Sequence, residues 1–204
     1  MLHHPAAVRD GFTEASATFV RTLGAIGPEM WDRPGALGEW TVRELAAHAL
    51  RAYVTIDGYL SAPRTNERNI ADAAEYYQVV LADPTAHQGV AARGREAGRQ
   101  LIDPVGQAEA TAAHTLALVA STADDDPVNS FAGQMPFIEY LATRVVELGV
   151  HTLDLQRATG QLPELHADTS AIIVSLLTAL AKPEPLILAL TGRAPLADGF
   201  NVLG

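Results

Sequence analysis

Tyr140-Leu141-Ala142-Thr143-Arg144-Val145-Val146-Glu147-Leu148-Gly149-Val150-His151-Thr152-Leu153-Asp154-Leu155 decides how this chain is read. Phe137, Leu141, Val145, Val146, Leu148, Val150, Leu153 and Leu155 set apolar groups around most of one helical circumference. A helix that is apolar nearly all round belongs in the middle of a domain. Yet it also carries Arg144, Glu147, His151 and Asp154. At 100° per residue these four fall within about 80° of one another, as a single polar stripe. Burying such groups without partners costs several kcal/mol each, so something must compensate them.

Outward from this stretch, the pattern predicts a long helix from Pro136 to Thr159, opened by a first-turn proline and closed by Gly160. Upstream, Val8 to Ile26 is amphipathic and stops at Gly27-Pro28. A second helix starts at Thr41, with Glu44 three residues on as a capping box, and runs through Leu45, His48, Ala52 and Tyr59 to Ala62-Pro63. Residues 63–106 are less regular, with helices expected over Asp72–Ala82 and Thr85–Leu101. A third strong helix covers Ala108–Ala120. Asp124-Asp125-Asp126-Pro127 reads as an acidic turn and Ser130–Gln134 as a loop. A further helix, capped by Asp168 or Thr169, reaches Ala181, then come an apolar segment Pro185–Leu190 and an irregular tail. No strand is expected. The class is all-α: a four-helix bundle over residues 1–160, with residues 161–204 as an extra helix and tail packed on it in one domain.

Composition narrows the chemistry. The 204 residues are 48% hydrophobic, enough for a sizeable core, and carry a net charge of −10. Such an acidic chain repels phosphate backbones and anionic membrane surfaces, so neither is an expected partner. No stretch approaches the 18 or more apolar residues of a membrane span, and the start lacks a signal-peptide pattern, which points to a cytoplasmic protein. Cysteine is absent, which excludes disulfides, cysteine-ligated metal and a cysteine nucleophile. Any thiol chemistry needs a thiol from outside. Alanine occurs 36 times and Lys182 is the single lysine, a bias typical of high-GC genomes.

Two readings of the polar stripe stay open. Glu147 and His151 lie at i, i+4 and both suit a divalent transition metal. If the second helix faces the long one, His48 joins them, and two histidines with one carboxylate leave a fourth position open, as in catalytic zinc sites. Alternatively, Glu147 pairs with Arg144 and His151 with Asp154 as buried salt bridges. His87, His114 and His166 show no comparable pattern.

Glu39-Trp40-Thr41-Val42-Arg43-Glu44-Leu45-Ala46-Ala47-His48 resembles the W-T-V-R-D-L-x-x-H opening of the second helix in the mycothiol-dependent maleylpyruvate isomerase family, a branch of the DinB-like metal-binding four-helix bundles. Tyr140–Leu155 resembles that family's second motif, R-x-x-E-x-x-x-H-x-x-D. Trp31 and Gly133-Gln134-Met135-Pro136 also resemble that family, and the likeness spans about residues 8–160. The resemblance implies that His48, Glu147 and His151 hold a divalent metal, usually zinc, with nickel, iron or manganese as other candidates. It implies a fourth position for water or an incoming thiolate, and mycothiol, a thiol of high-GC actinobacteria, as cosubstrate. The implied reaction is isomerisation or S-transfer on a small electrophilic substrate. Arg144 would bind a substrate carboxylate, or else form a structural salt bridge with Glu147 or Glu44. Asp154 would orient His151 or the substrate, or else be a surface or ion-pair residue. Tyr76, Tyr77 and Arg51 are candidate pocket residues. The family's well-known isomerase carries a further α/β domain for which residues 161–204 are too short, which argues against transferring maleylpyruvate as substrate. A thiol-independent hydrolase, lyase or cyclase, and a non-catalytic ligand-binding bundle, are the alternatives. A monomer or homodimer is expected.

Overall fold

The computed structural model describes residues 3–65, 67–83 and 89–203. Its elements are α1 (Pro5–Gly24), a 3₁₀ turn (Pro28–Met30), α2 (Val42–Ala49), α3 (Arg51–Ser61), α4 (Ala73–Ala82), α5 (Val90–Gln100), α6 (Pro104–Ser121), β1 (Pro127–Ser130), β2 (Gly133–Pro136), α7 (Phe137–Ala158), α8 (Ala167–Leu180) and α9 (Pro183–Leu190). Helix α7 packs against α1, α2, α3 and α8, while α6 closes the bundle against α1 and α3. The expected all-α bundle is therefore formed by α1, α2–α3, α6 and α7. Phe12, Phe19, Leu45, Ile56, Leu141 and Val145 are fully buried in its core.

Local chemistry sets the ends of these helices. Thr41 Oγ1 accepts the Glu44 N–H at 3.2 Å, and the Glu44 carboxylate accepts the Thr41 N–H at 2.8 Å, completing the capping box. Gly160, at φ +74°, ends α7. The Gln161 N–H returns to the Gln156 carbonyl at 2.8 Å, and the Gly160 N–H to that of Arg157 at 3.4 Å. The buried Gln156 side chain has both ends engaged: it donates to Thr22 Oγ1 and the Glu164 carbonyl and accepts the Glu164 N–H. Thr41→Ala is expected to lower unfolding stability by about 1 kcal/mol, read as a lower urea midpoint at unchanged slope.

Several expectations are corrected. The second helix is two, α2 and α3, because the backbone tightens at Leu50, where the Tyr53 N–H reaches the Leu50 carbonyl at 3.1 Å in a 3₁₀-like step. Ser130–Gln134 is not a loop but the centre of an antiparallel hairpin, paired Val128↔Met135 and Ser130↔Gly133. Strands of four residues are too short to display a period, although Val128 and Met135 both face the core. Gly133 is required there, since a methyl group on it would lie 2.8 Å from the Arg68 carbonyl oxygen. The third strong helix starts at Pro104 and not at Ala108, with Asp103 capping Gly106 N–H at 3.0 Å and Pro104 in the first turn of α6. The α8 cap is His166, not Asp168 or Thr169. The segment around Pro185–Leu190 is helical, Pro183 serving as the first-turn residue of α9. Of the expected Thr85–Leu101 helix, Val90–Gln100 is seen, while residues 84–88, with His87, lie outside the described residues. Among the described residues no helix is long and apolar enough to cross a membrane.

Helix α5 lies across α2 and matters to the site. Its Gly94 and Gly98 let it approach closely: a methyl on Gly94 would stand 2.6 Å from Trp40 Cζ2, and one on Gly98 2.7 Å from Glu44 Cγ. The C-terminal segment is less embedded. No residue of α9 is buried and Phe200 stays exposed, but Leu203 returns to pack on the core.

Candidate metal centre

His48 stands near the end of α2, and α2 faces the middle of α7. This places the His48 ring 4.9 Å from the His151 ring, centroid to centroid, nearly edge-on at 77°. His151 Nε2 is 3.8 Å from Glu147 Oε2. One donor atom from each of His48, Glu147 and His151 can be chosen so that all three lie within 4.8 Å of one another. The cluster lines a pocket of about 420 Å³, with Arg144, Tyr76, Tyr77 and Arg51 also in the wall.

Each donor has surroundings that bear on its charge. Burial pulls the His48 pKa down to about 4, and the neighbouring His151 adds to the shift, so His48 is an unprotonated imidazole at neutral pH. Trp40 packs on it with ring centroids 4.7 Å apart, and the Trp40 indole N–H donates to the Ala91 carbonyl of α5 at 3.3 Å. His48 Nδ1 is buried without a hydrogen-bond partner among the described residues. Burial alone would push the Glu147 carboxyl up. The Arg144 charge, His151 and a hydrogen bond from Tyr77 more than offset this and hold it below the ordinary carboxylate range. Tyr77 Oη lies 3.1 Å from Glu147 Oε1 and 3.3 Å from the Thr143 carbonyl. Burial, and then the Glu147 charge, raise the Tyr77 phenol well above its usual pKa, so it stays a donor. An orphaned imidazole nitrogen clustered with a carboxylate and a second imidazole is a donor set that divalent transition metals take. The residues present fit such an ion.

The ion-pair alternatives divide. His151 Nδ1 is 3.2 Å from Asp154 Oδ2, whereas Arg144 makes no salt bridge with Glu147 or Glu44 among the described residues. Arg144 is 7% exposed. Its Cζ sits 4.7 Å from the Tyr140 ring centroid and 6.0 Å from that of Tyr76, and its Nε–H donates to Thr143 Oγ1 at 3.0 Å. Glu44 is engaged in the capping box. Three features escaped sequence reasoning. They are the Tyr77 contact to Glu147, the seat of Trp40 on His48, and Leu203 in the pocket wall. Trp40 carried a signal as part of the first motif, and Tyr77 as a candidate pocket residue, but the partner of neither was legible.

The fold and this cluster define a DinB-like helical bundle with a candidate divalent-metal centre. The family model for the mycothiol maleylpyruvate isomerase N-terminal domain matches residues 12–156, and the chain belongs to that family. Comparison with curated proteins and with solved structures finds no match.

Proposed function

We propose that the protein is a metal-dependent enzyme, with zinc as its ion and mycothiol as its cosubstrate, acting on a small electrophilic substrate by isomerisation or S-transfer. The observation that carries this reading is the His48–Glu147–His151 cluster at a pocket of about 420 Å³, in a chain of this family. His48, Glu147 and His151 would hold the ion. A bound zinc supplies a site where a thiol is held deprotonated near neutral pH. The chain has no cysteine, so that thiol is external.

The remaining residues prepare the pocket. Asp154 orients His151 through Nδ1 and is therefore a positioning residue. Arg144 presents a fixed cation at the pocket wall, suited to an acidic group of the substrate. The Tyr76 and Tyr140 rings on which it rests exclude water around that charge and strengthen its pull on an anion. Calorimetric titration with mycothiol tests the reading. Zinc-loaded protein is expected to bind it and metal-free protein is not. No heat with zinc-loaded protein sinks the thiol step. Metal-dependent turnover in thiol-free buffer would instead mark a hydrolase, lyase or cyclase.

A further inference from the structure

Helix α4 belongs to neither sequence motif, yet two hydrogen bonds fasten it to α7. At its N-terminus, the Ala73 N–H donates to Glu139 Oε2 at 3.1 Å, inside the buried first turn of α7. One helical turn along α4, the Tyr77 hydroxyl lies 3.1 Å from Glu147 Oε1. Glu139 and Glu147 are two turns apart on α7, so the two bonds fix the register of one helix on the other. Tyr76 adds an edge-on contact to Tyr140, 6.0 Å between centroids. Tyr77 is buried, so this geometry is held by packing and not by a flexible surface side chain.

The two oxygens of Glu147 are thereby made different. Oε2 is the one 3.8 Å from His151 Nε2, while Oε1 is occupied by Tyr77. A phenol has one proton to give, and the charged Glu147 oxygen at 3.1 Å competes for it against the neutral Thr143 carbonyl at 3.3 Å. A hydrogen bond to an ionised acceptor is roughly twice as strong as a neutral one, so the proton goes to Glu147. An unrestrained carboxylate has both oxygens available to a metal. We infer that Tyr77 is a positioning residue that keeps Glu147 a one-oxygen ligand, leaving a coordination position for an incoming group. The inference rests on the metal reading above and concerns the part of the centre that keeps it open. His151 has Asp154 as its orienting partner, and Glu147 has Tyr77.

The test is Tyr77→Phe, which removes one oxygen and keeps the ring. Cobalt(II) serves as the probe, because its visible absorption is intense in four-coordinate sites and weak at higher coordination. Wild-type protein is expected to take cobalt(II) with an intense band. Tyr77→Phe is expected to bind cobalt(II) and zinc 10- to 100-fold more weakly, with a fainter band as Glu147 closes on the ion with both oxygens. Equal affinity and an equal band in the two proteins overturn the inference and leave the metal centre standing. A lower melting temperature for the metal-free variant, with affinity and band unchanged, reduces Tyr77 to a packing role and also overturns it. Wild-type protein that takes neither metal overturns the metal reading itself. Should the variant not fold, X-ray absorption of zinc-loaded wild-type protein decides. A single carboxylate oxygen at about 2.0–2.2 Å supports the inference, and two carboxylate oxygens on the ion overturn it.

Discussion

His48→Ala and His151→Ala are each expected to emerge from purification without zinc, while keeping the helical circular-dichroism spectrum of the parent. Removing a group that merely orients a metal ligand costs 10- to 100-fold in affinity, and removing a ligand costs more. Two donors would remain of the three that now lie within 4.8 Å of one another. The fold should survive, because neither ring belongs to the fully buried core formed by Phe12, Phe19, Leu45 and Leu141. Linkage gives a second readout. Zinc at 100 times its dissociation constant stabilises a protein that binds it only when folded by about 2.7 kcal/mol, so the parent melts higher with zinc. Neither variant should respond. Metal content measured after gel filtration decides the matter, and two variants that keep a full complement would show the site to be elsewhere.

The fold was legible where one principle dominates over many residues. The all-round apolar face of α7 marks it as central, and Thr41–Glu44 and Gly160 mark helix ends through local hydrogen bonds that the structure forms. The polar stripe was legible for the same reason, since 100° per residue is fixed by helix geometry. What was not legible depends on distance in sequence. The hairpin is defined by pairing Val128 with Met135 and by the Ile70 N–H reaching the Gln134 carbonyl at 2.8 Å, and no local pattern encodes that second contact. The break at Leu50 leaves both sides helical, so no Gly or Pro announces it.

The candidate site divides along the same line. His48, Glu147 and His151 share two helices whose facing could be guessed from their apolar stripes. Tyr77 is 70 residues from Glu147 and comes from a helix outside both motifs, so it reads as a pocket residue but not as a partner of that carboxylate. Its neighbour Tyr76 has the same composition and burial, and only the register of α4 on α7 decides which of the two hydroxyls meets the carboxylate. Arg144 shows the reverse case. Spacing on one helix suggested an ion pair with Glu147, but the guanidinium lies over Tyr140 instead, because helical adjacency does not fix which rotamer a long side chain takes.

Phe19→Ala is expected to destabilise the protein by about 3–5 kcal/mol, the range for deleting a buried ring and leaving part of its volume empty. Phe19 is fully buried on α1, and its ring lies 6.2 Å from that of Tyr53 on α3, which in turn meets Phe12 at 5.8 Å. This aromatic contact ties α1 to α3 inside the bundle. A loss of that size is a large fraction of the 5–15 kcal/mol that domains possess, so the denaturant midpoint should fall steeply. The metal affinity of the folded protein should not follow. Phe19 is not in the wall of the pocket, and energetic effects at sites with no shared partners add independently. Zinc should therefore raise the melting temperature of Phe19→Ala by an amount comparable to its effect on the parent, the opposite of the histidine variants, where stability is kept and the response to zinc is lost. If Phe19→Ala weakened zinc binding as much as His151→Ala does, the centre would depend on the packing of the whole bundle and not on the facing of α2 and α7 alone.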